Sequence, residues 1–455
     1  MLCIPANSQD YPEEVWGKAD LIVSEISGFN FPGIDYYVTD FKTSNDTTEW
    51  YTQAINKAID VCSEKGGGVV IVPEGIYFTG PIILKSNVRL HISDGAILKF
   101  STNPVDYLPV VETRWEGVDC YNYCPLIYAV NETNIAITGN GILDGQADIK
   151  NWWHWKGKSE YGWEEGMSSQ LDPAGRPRLM FFEQNNVPVE ERIMGEGSYL
   201  RPPFIQFLNC NTILIENITI KNSPFWIIHP LLSENIIIRG ITAISNGPNN
   251  DGCDPESCKN VLIEDCFFET GDDCIAIKSG RNNDGRTWNI PSENIVIRNC
   301  RMHDGHGGVV MGSEISGGCM NIFVEDCLMD SPNLERAIRI KTNSFRGGII
   351  ENIFIRNITI GEVEEAVLKI NCIYEMKDGE KGDHPPLVRK IFLDNIRSEK
   401  SKYAIYFQGI DMQNVIHDVI INNCYFNGVE KGNFIEFADF PILHRVYIND
   451  RLIKL

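Results

Sequence analysis

The sequence predicts an all-β fold, a single-domain parallel β-helix, from three observations. A short pattern, in which an Asn or another polar residue precedes alternating β-branched residues, recurs through most of the 455 residues. From Thr212 onward its copies begin 23 to 38 residues apart, with almost no helical pattern between them. Ile and Cys share one fixed position within the copies. Short strands that repeat at this spacing are typical of β-helix coils rather than of a sandwich.

The repeated pattern predicts the first strand of each coil. Its period-two alternation favours a strand with one buried side. Unequal intervals are expected, because loops of different length leave a coil at its corners. The copies begin at Asn134, Thr212, Asn235, Asn260, Asn294, Asn321, Asn352, Lys390 and Asp418.

The fixed position, five residues beyond the first apolar residue of each copy, predicts one inward-facing column. Its cysteines are Cys266, Cys300, Cys327 and Cys424. We expect buried thiols that pack as small hydrophobic groups, since a chain of 455 residues does not need disulfides to build a core. Outside the column, disulfides between Cys120 and Cys124 and between Cys253 and Cys258 stay open. No Cys or His spacing matches a zinc site.

Three segments lie outside the regular coils. Residues 1–35 are expected to form an N-terminal extension, and residues 36–455 the β-helix domain. The stretch "TQAINKAIDVC", which begins at residue 52, predicts a short N-terminal capping helix. We expect a long loop insertion at about residues 146–203, where "NWWHWKGKSEYGWEEG" is too irregular for a coil and too aromatic for a disordered linker.

The composition excludes several classes of function. The net charge of −22 argues against nucleic-acid binding, whose electrostatic footprint is basic. No run of about 18 apolar residues predicts a transmembrane helix. The opening segment "MLCIPANSQDYPEEVW" lacks a basic region and a full apolar region. It fits either the remnant of a clipped export signal, which would make the protein periplasmic or extracellular, or an ordinary terminus of a cytoplasmic protein.

A second set of strands follows the first within the coils and positions polar side chains. Its segments are "CIAIKS" from residue 274, "GVVMGS" from 308, "AIRIKT" from 337, "AVLKIN" from 366 and "YAIYFQ" from 403. Equivalent positions in parallel, in-register coils stack about 4.8 Å apart. Aligning these strands brings Asp272 level with His306. Alternation along the strand then turns Arg339 and Lys341 outward from the core.

Three aspartates are expected on this outer surface. Asp272 and Asp273 are adjacent in "TGDDCIAIKSG", and Asp251 lies about one coil earlier in "GPNNDGCDPES". Carboxylates at close range divide their protons unevenly, because the charge of one raises the pKa of another. Acid–base cleavage of a glycosidic bond requires that division, since one carboxylic acid protonates the leaving oxygen and another carboxylate activates water. The alternative is that each aspartate only caps a turn.

Four motifs together resemble glycoside hydrolase family 28, the polygalacturonases and their relatives. They are "NNDG" at 249–252, "GDD" at 271–273, "GHG" at 305–307 and "RIK" at 339–341, in the order that the family has. The likeness extends from "YVTDF" near residue 37 to the last coils. The first motif departs from the family's commoner Asn-Thr-Asp, but it retains the carboxylate of Asp251.

The resemblance implies a right-handed parallel β-helix that hydrolyses α-1,4-galacturonosidic bonds of pectic polygalacturonate with inversion, without a metal or cofactor. Carried across by motif, Asp272 corresponds to the general acid. Asp251 and Asp273 correspond to the pair that positions and deprotonates water, and His306 tunes the acid through hydrogen bonding. The other predicted site residues contact substrate: Arg339, Lys341, Asn249, Lys278 and Tyr374.

The basic residues also bear on the net charge of −22, which should repel an acidic polymer. Exposed charges are screened beyond about 8 to 10 Å, so local cations can decide binding. The planar fork of Arg339, together with Lys341, suits a substrate carboxylate beside the scissile bond. Lys278 is expected to add to this local field, whereas Arg281 is expected to be a solvated loop charge.

The insertion bears on where the polymer is cut. Sugar rings stack on Trp and Tyr, so an aromatic loop beside the groove is expected to form a wall that closes a cleft into a pocket for chain ends. Packing onto the coils is the alternative for each of Trp152, Trp153 and Trp155. "TRWEGVDCYNYCPLIYA" and "SPFWIIHP" also resemble the exo-acting bacterial branch of the family. We therefore predict release of small products from the non-reducing end of a pectic polysaccharide or oligogalacturonide.

Three other functions stay open at this point. A rhamnogalacturonan-directed hydrolase of the same family would share the catalytic aspartates and differ in the residues that bind substrate. A pectate lyase would share the β-helix but abstract a proton with a basic residue, usually with calcium, which the GDD and GHG motifs do not favour. A non-catalytic β-helix that binds carbohydrate would not need three gathered carboxylates. The sequence does not predict an oligomeric state.

Overall fold

The computed structural model describes residues 13–42, 50–377 and 379–453, which form a right-handed parallel β-helix. Parallel strands stack coil upon coil in three faces around one elongated hydrophobic core. The predicted all-β class and the β-helix are confirmed. Residues 1–12, which hold most of the segment considered as an export remnant, lie outside the described residues.

Face 1 contains the repeated pattern, and face 2 follows it around a corner of the coil. Two long strands run through that corner, so faces 1 and 2 form one 24-stranded sheet. The strands of face 1 are Asp35–Tyr37, Gly68–Val72, Val88–Ile92, Thr133–Gly139, Asn211–Glu216, Glu234–Arg239, Lys259–Glu264, Ser292–Arg298, Cys319–Glu325, Ile349–Glu362, Leu387–Lys400, Ile416–Asn422 and Ile442–His444. Face 2 takes the ends of the two long strands and Gly75–Thr79, Ala96–Phe100, Ile142–Asp144, Thr219–Lys221, Thr242–Ser245, Phe267–Thr270, Arg301–Met302, Leu328–Met329, Tyr425–Phe426, Tyr447–Ile448 and Arg451–Leu452.

Face 3 completes each coil and contains the second set of predicted strands. It consists of a 4-stranded and a 6-stranded sheet, which isolated bridges at Cys253 join. Its strands are Ile82–Ile83, Ile127–Val130, Ile205–Leu208, Ile228–Leu231, Ile275–Ile277, Val309–Gly312, Arg336–Lys341, Ala366–Asn371, Tyr403–Gln408 and Asn433–Glu436. The predicted register is also observed, since Ile275 pairs with Val309 and Val309 with Ile338.

The polar residue that begins each repeat has a structural role. Five equivalent asparagines have left-handed backbone with φ of 55° to 58°, a conformation that Asn adopts at low cost. From the second onward, each side-chain amide donates a hydrogen bond to the equivalent Asn one coil earlier, at 3.1 to 3.4 Å. The five are Asn235, Asn260, Asn294, Asn321 and Asn352. This ladder satisfies the polar groups at one corner and keeps successive coils in register.

The predicted inward column of Ile and Cys is confirmed. Cys266, Cys300, Cys327 and Cys424 are all buried free thiols in the core. Each donates a hydrogen bond to the carbonyl oxygen two residues earlier, at 3.0 to 3.3 Å, a contact that Ile cannot make. The two disulfides that the sequence left open are not formed. Their four cysteines, Cys120, Cys124, Cys253 and Cys258, are also free thiols.

In the part of the chain that the structure describes, four α-helices accompany the coils: α1 (Glu13–Glu25), α2 (Thr52–Glu64), α3 (Arg176–Gln184) and α4 (Asn282–Trp288). Helix α2 is the predicted cap, and its buried side packs on the first coil. Helix α1 was not predicted. It covers apolar side chains that face 1 directs outward, with Trp16 against Phe323 and under the guanidinium of Arg356.

The insertion carries α3 and three short 3-10 helices, at Trp153–Lys156, Ser159–Tyr161 and Val189–Glu191, and two others lie at Val38–Phe41 and Pro104–Tyr107. It packs beside an antiparallel hairpin, Val111–Trp115 and Val118–Asn122, that projects from an early coil. Within the described residues, every helix is too short or too polar for a membrane span.

Candidate active site

Asp251, Asp272 and Asp273 come together on the outer side of face 3, as the stacking of coils predicts. Asp272 and Asp273 lie in the turn before Ile275–Ile277, and Asp251 lies one coil earlier. One carboxylate oxygen from each aspartate lies within 4.8 Å of the other two. Asp251 and Asp273 are buried, whereas the Asp272 side chain is 16% exposed. Asp272 is therefore the carboxylate that solvent reaches most easily.

His306 contacts Asp272 twice. Its backbone N–H donates to the Asp272 carbonyl oxygen at 3.2 Å, and its Nδ1 lies 2.8 Å from Asp272 Oδ1. Gly305 allows this approach: it has φ of 117°, and a Cβ there would lie 2.1 Å from the Asp272 carbonyl oxygen. The packing of the two coils therefore requires glycine at the first position of the GHG motif.

Arg339 and Lys341 lie on the outer side of face 3, as predicted, and both bind Asp273. Lys341 Nζ donates to Asp273 Oδ2 at 2.6 Å, and Arg339 Nη1 lies 3.6 Å from Asp273 Oδ1. The ring centre of Tyr374 is 5.3 Å from each cationic group. The three predicted substrate-contacting residues therefore form one border of the carboxylate cluster.

Lys278 lies beneath the cluster rather than at its surface. Its side chain is 2% exposed, and Nζ is 3.4 Å from each of Asp251 Oδ2, Asp254 Oδ1 and Glu314 Oε2. The indole ring of Trp226 lies 4.5 Å from the same Nζ. In this position Lys278 acts on the carboxylates and does not reach a surface open to substrate.

The expectation that Arg281 is a solvated loop charge is wrong. Arg281 is 7% exposed, and Nη1 lies 3.3 Å from Glu314 and 3.7 Å from Glu116. The turn of the hairpin covers it, because the Arg281 N–H donates to the carbonyl of Gly117. A Cβ on Gly117 would lie 2.8 Å from both Arg281 and Glu314, so glycine allows the hairpin to close on the site.

Burial and charge divide the protons of the cluster unevenly. Burial, with the charge of Asp272, raises the pKa of Asp251 to about 7, although Lys278 opposes the rise. Burial also disfavours the charged form of Asp272, but the charge and hydrogen bond of His306, with Lys341, hold its pKa well below the usual range. The same contact raises the pKa of His306. Below about pH 7, Asp251 therefore retains a proton, whereas Asp272 is ionised beside His306.

As predicted, the pKa values of the carboxylates differ widely. The assigned roles, however, would put the raised pKa on the general acid, and here it belongs to another aspartate. The acid of the family motif is Asp272, yet Asp272 is the ionised member of the pair. The physical reason is the imidazole of His306 beside it. The sequence predicts the position of this side chain but not its charge. Burial and the charge of Asp251 also raise the pKa of Asp254 well above its usual value, although Lys278 opposes the rise.

The insertion supplies site residues that sequence reasoning missed. Lys156 Nζ donates to Asn249 Oδ1 at 2.6 Å, and Arg201 Nη2 donates to the same oxygen at 2.9 Å. Asn249 is thus held by two cations of the insertion. Lys156 and Tyr161 both interact electrostatically with Asp272.

Two tryptophans of the insertion pack into the core rather than face the groove. Trp152 and Trp155 are buried in the main core, and the Trp153 indole donates to the carbonyl of Ser223 at 2.9 Å. The packing alternative therefore holds for Trp152 and Trp155. They fasten the segment that carries Lys156, which contacts Asn249 beside the cluster.

Other missed residues are Glu116, Arg176, Asp254, Glu314, Arg346 and Glu375. They come from the hairpin, from α3 and from loops beyond face 3. No spacing in the sequence relates them to the motifs, although Asp254 and Glu314 lie within a few residues of recognised strands.

Among the described residues, Asp251, Asp272 and Asp273 form one group whose geometry would admit a metal ion. Their charge is already met by Lys278, Lys341, Arg339 and His306. A cation would have to compete with these side chains, so the donor set fits an organic acid–base site better than a metal site.

Comparison with known sequences places this arrangement in a family. The sequence model of the Glycosyl hydrolases family 28 matches residues 194–432, which include all four motifs. A protein of Vitis vinifera described as a probable polygalacturonase is 32% identical over 335 residues, which span 71% of this chain and 60% of that protein. An exo-poly-alpha-D-galacturonosidase of Dickeya chrysanthemi is 25% identical over 439 residues, which span 91% of this chain and 71% of that protein.

A solved structure extends the likeness to nearly the whole chain. The crystal structure of an exopolygalacturonase from Thermotoga maritima superimposes with a TM-score of 0.92 at 43% sequence identity, over 97% of each chain. The match therefore includes the insertion and the early coils as well as the motifs. The chain belongs to family 28 of the glycosyl hydrolases.

Proposed function

We propose that this glycoside hydrolase cleaves α-1,4-galacturonosidic bonds and acts from the non-reducing end of polygalacturonate or its oligomers. The observation that carries the proposal is the close set of Asp251, Asp272 and Asp273, bordered by Arg339 and Lys341. The carboxylates supply acid–base chemistry, and the cations supply a partner for a uronate carboxylate. The names of the Dickeya and Thermotoga relatives support the same substrate and mode of attack.

In the proposed reaction, Asp272 gives a proton to the leaving glycosidic oxygen. Asp251 and Asp273 orient a water molecule, and one of them takes its proton as the oxygen bonds to the anomeric carbon. Asp272, the most accessible carboxyl, is the one that can reach a glycosidic oxygen in the groove. His306 and Lys278 act through these carboxylates.

Substrate binding can supply the proton that Asp272 lacks. Lys341 and Lys156 help to hold the pKa of Asp272 down in the free protein. A uronate carboxylate that binds Lys341 and Arg339 would offset this positive field and raise the pKa of Asp272. The proton on Asp251 then moves within the cluster to Asp272, which leaves Asp251 ionised to receive the proton of water. The exchange needs no proton from solvent.

Two features support exo action. The insertion closes the side of the cluster toward the early coils, where Lys156 and Arg201 meet Asn249. The other side continues as an open sheet, where Arg339 pairs in register with Lys369, Lys369 with Tyr406, and Tyr406 with Phe434. We infer that the terminal sugar enters the walled side and that the rest of the chain lies along this open column.

Product analysis tests the proposal directly. Polygalacturonate should yield one or two small products early, with slow loss of viscosity. A ladder of oligomers with a rapid fall in viscosity would contradict exo action. Rhamnogalacturonan should be a poor substrate, and the products should lack the conjugated double bond that a lyase forms. Faster release from rhamnogalacturonan would transfer the assignment to that substrate, and no release from any pectic polymer would favour a binding protein.

The stereochemistry needs its own measurement. Inverting enzymes usually separate their carboxyl groups by about 6.5 to 9.5 Å. Here, the nearest oxygens of the three carboxylates lie within 4.8 Å, so inversion rests on the family likeness rather than on this distance. Proton NMR of the first product should show the β-anomer. First appearance of the α-anomer would contradict inversion.

Export also stays a proposal. A cell-wall polymer lies outside the cell, which favours a periplasmic or extracellular enzyme, whereas short oligogalacturonides could be cleaved in the cytoplasm. Fractionation of the source cells, followed by activity assays of each fraction, distinguishes the two locations.

A further inference from the structure

A second group of cations lies beside the site and is not used in the proposed reaction. Arg281 and Arg346 are both nearly buried, and their Nε atoms have no hydrogen-bond partner. Glu314 links this group to the reaction site, because it contacts Arg281 at 3.3 Å and Lys278 at 3.4 Å. The guanidinium group of Arg281 therefore lies one carboxylate away from the lysine that binds Asp251.

Both arginines direct a nitrogen at the same atom, Oε2 of Glu375. The distance is 3.7 Å from Arg281 Nη2 and 3.5 Å from Arg346 Nη2, so neither contact is a short charge-assisted hydrogen bond. The Glu375 side chain is 48% exposed, although the arginines that it meets are nearly buried. Glu375 also follows Tyr374, whose ring lies over Arg339 and Lys341.

Other contacts hold the arginines in place without Glu375. Arg346 Nη1 donates to Asn282 of α4 at 2.8 Å, and Glu314 and Gly117 hold Arg281. Positive charge is concentrated here, since burial and the charge of Arg281 lower the pKa of Arg346 to about 10. Two nearly buried guanidinium groups, each with an Nε that has no hydrogen-bond partner, therefore share one half-exposed carboxylate at a distance too long for a strong hydrogen bond.

We propose that Arg281 and Arg346 bind the carboxylate of the terminal galacturonate and that Glu375 occupies their site until the substrate displaces it. The inference rests on the proposed function and names the group that recognises the terminal sugar. Recognition of the leaving sugar belongs to Arg339 and Lys341. The enzyme would then require free carboxylates on both sides of the bond that it cleaves.

Binding of the monomer tests the proposal without any need for turnover. Titration calorimetry with galacturonic acid compares the wild type with Glu375→Gln. The variant should bind about 2- to 5-fold more tightly, because removing a partly exposed competing carboxylate has about that effect. Glu364→Gln removes the same charge from an exposed residue elsewhere and should leave the affinity unchanged. Galactose, which lacks the carboxylate, should bind both proteins weakly and equally.

The arginines supply the reciprocal test. Arg346→Lys keeps the charge but loses the fork, and it should weaken galacturonic acid binding about 10-fold, the effect of one charge-assisted hydrogen bond. In the double variant with Glu375→Gln, the gain from the glutamine should disappear. Arg281→Lys serves in the same way if Arg346→Lys fails to fold.

Three results would overturn the proposal. They are equal galacturonic acid affinity in the wild type and Glu375→Gln, the same gain in Glu364→Gln, and a gain that galactose shares. None of them depends on hydrolysis. An enzyme inactive on polygalacturonate that still shows the Glu375→Gln gain would contradict the proposed function and leave the carboxylate site standing.

Discussion

On the walled side of the carboxylate cluster, charges come from the hairpin, the insertion and α4, whereas on the open side they come from successive strands of one sheet. Lys156 and Asn249 are 93 residues apart, and Asp119 and Asp284 meet across 165. On the open side, Arg339, Lys369 and Tyr406 are equivalent positions of adjacent coils. The sheet therefore supplies a regular surface along the coils. Loops that are distant in sequence pack together and border that surface on one side.

The two sides also differ in how their charges are compensated. On the walled side, the charges next to the cluster are shared, as with the nearly buried Arg281 between Glu116 and Glu314. On the open side, Lys369 pairs with Glu365 at 2.5 Å and lies 4.6 Å from the ring centre of Tyr406, whose ring stacks on Phe434. We expect the walled side to bind one sugar tightly and the open side to bind several sugars weakly.

The largest expected effect is at the centre, on which both sides depend. Asp272→Asn should lower kcat about 10²- to 10⁴-fold, because an amide cannot donate the required proton. Asp326→Asn, the same change at an exposed coil corner, should leave kcat unchanged. Thermal unfolding should show that both variants are folded. A folded Asp272→Asn protein with near-normal turnover would contradict the role of the acid.

The second-largest effect is expected at a lysine of the walled side, with a solvent-exposed lysine as the comparison. Lys156→Ala removes a charge-assisted hydrogen bond to Asn249 and should lower kcat/KM about 10- to 100-fold. The loss should be equal for digalacturonate and polygalacturonate, because every substrate presents a terminal sugar. Lys158→Ala is the control, since that side chain is 58% exposed. A loss confined to the polymer would place Lys156 on the leaving side instead.

A smaller effect is expected on the open side. Tyr406→Ala should raise KM for polygalacturonate about 2- to 10-fold, the range that one aromatic contact supplies. KM for digalacturonate should not change, because a disaccharide does not extend along the column. Tyr425→Ala removes another stacked aromatic residue, from face 2, and controls for loss of stability. Equal effects of Tyr406→Ala on both substrates would show that the column does not carry the leaving chain.

The smallest effect concerns the stability cost of the buried acid. Burial raises the pKa of Asp251 to about 7, so between about pH 4 and 7 the folded protein retains a proton that the unfolded chain has released. Stability from this group is therefore present at low pH and is lost as pH rises through that window. Asp251→Asn should raise Tm by about 2 °C or more at pH 8 and by less at pH 4.5. A gain that is the same at both pH values would contradict the raised pKa.

Much of the open side could be predicted, since period-two alternation and the stacking of coils follow from local sequence. Those rules placed Asp272 level with His306 and turned Arg339 and Lys341 outward, as the structure has them. They also predicted the Cys column, because inward positions recur at a fixed place in each coil. Equivalent residues of adjacent coils contact each other, so an alignment of two coils predicts which side chains pack together.

The walled side depends on tertiary structure. Nothing local indicates that the hairpin turn covers Arg281, that Lys156 reaches Asn249, or that Trp152 is a core residue rather than a sugar platform. The protonation of the cluster belongs here too, because pKa depends on burial and on neighbours from several coils. By itself, the sequence determined the β-helix, its register and the gathering of the three aspartates on one surface. Only the tertiary structure decided which of them holds a proton and where the groove ends, because both depend on groups brought together by folding.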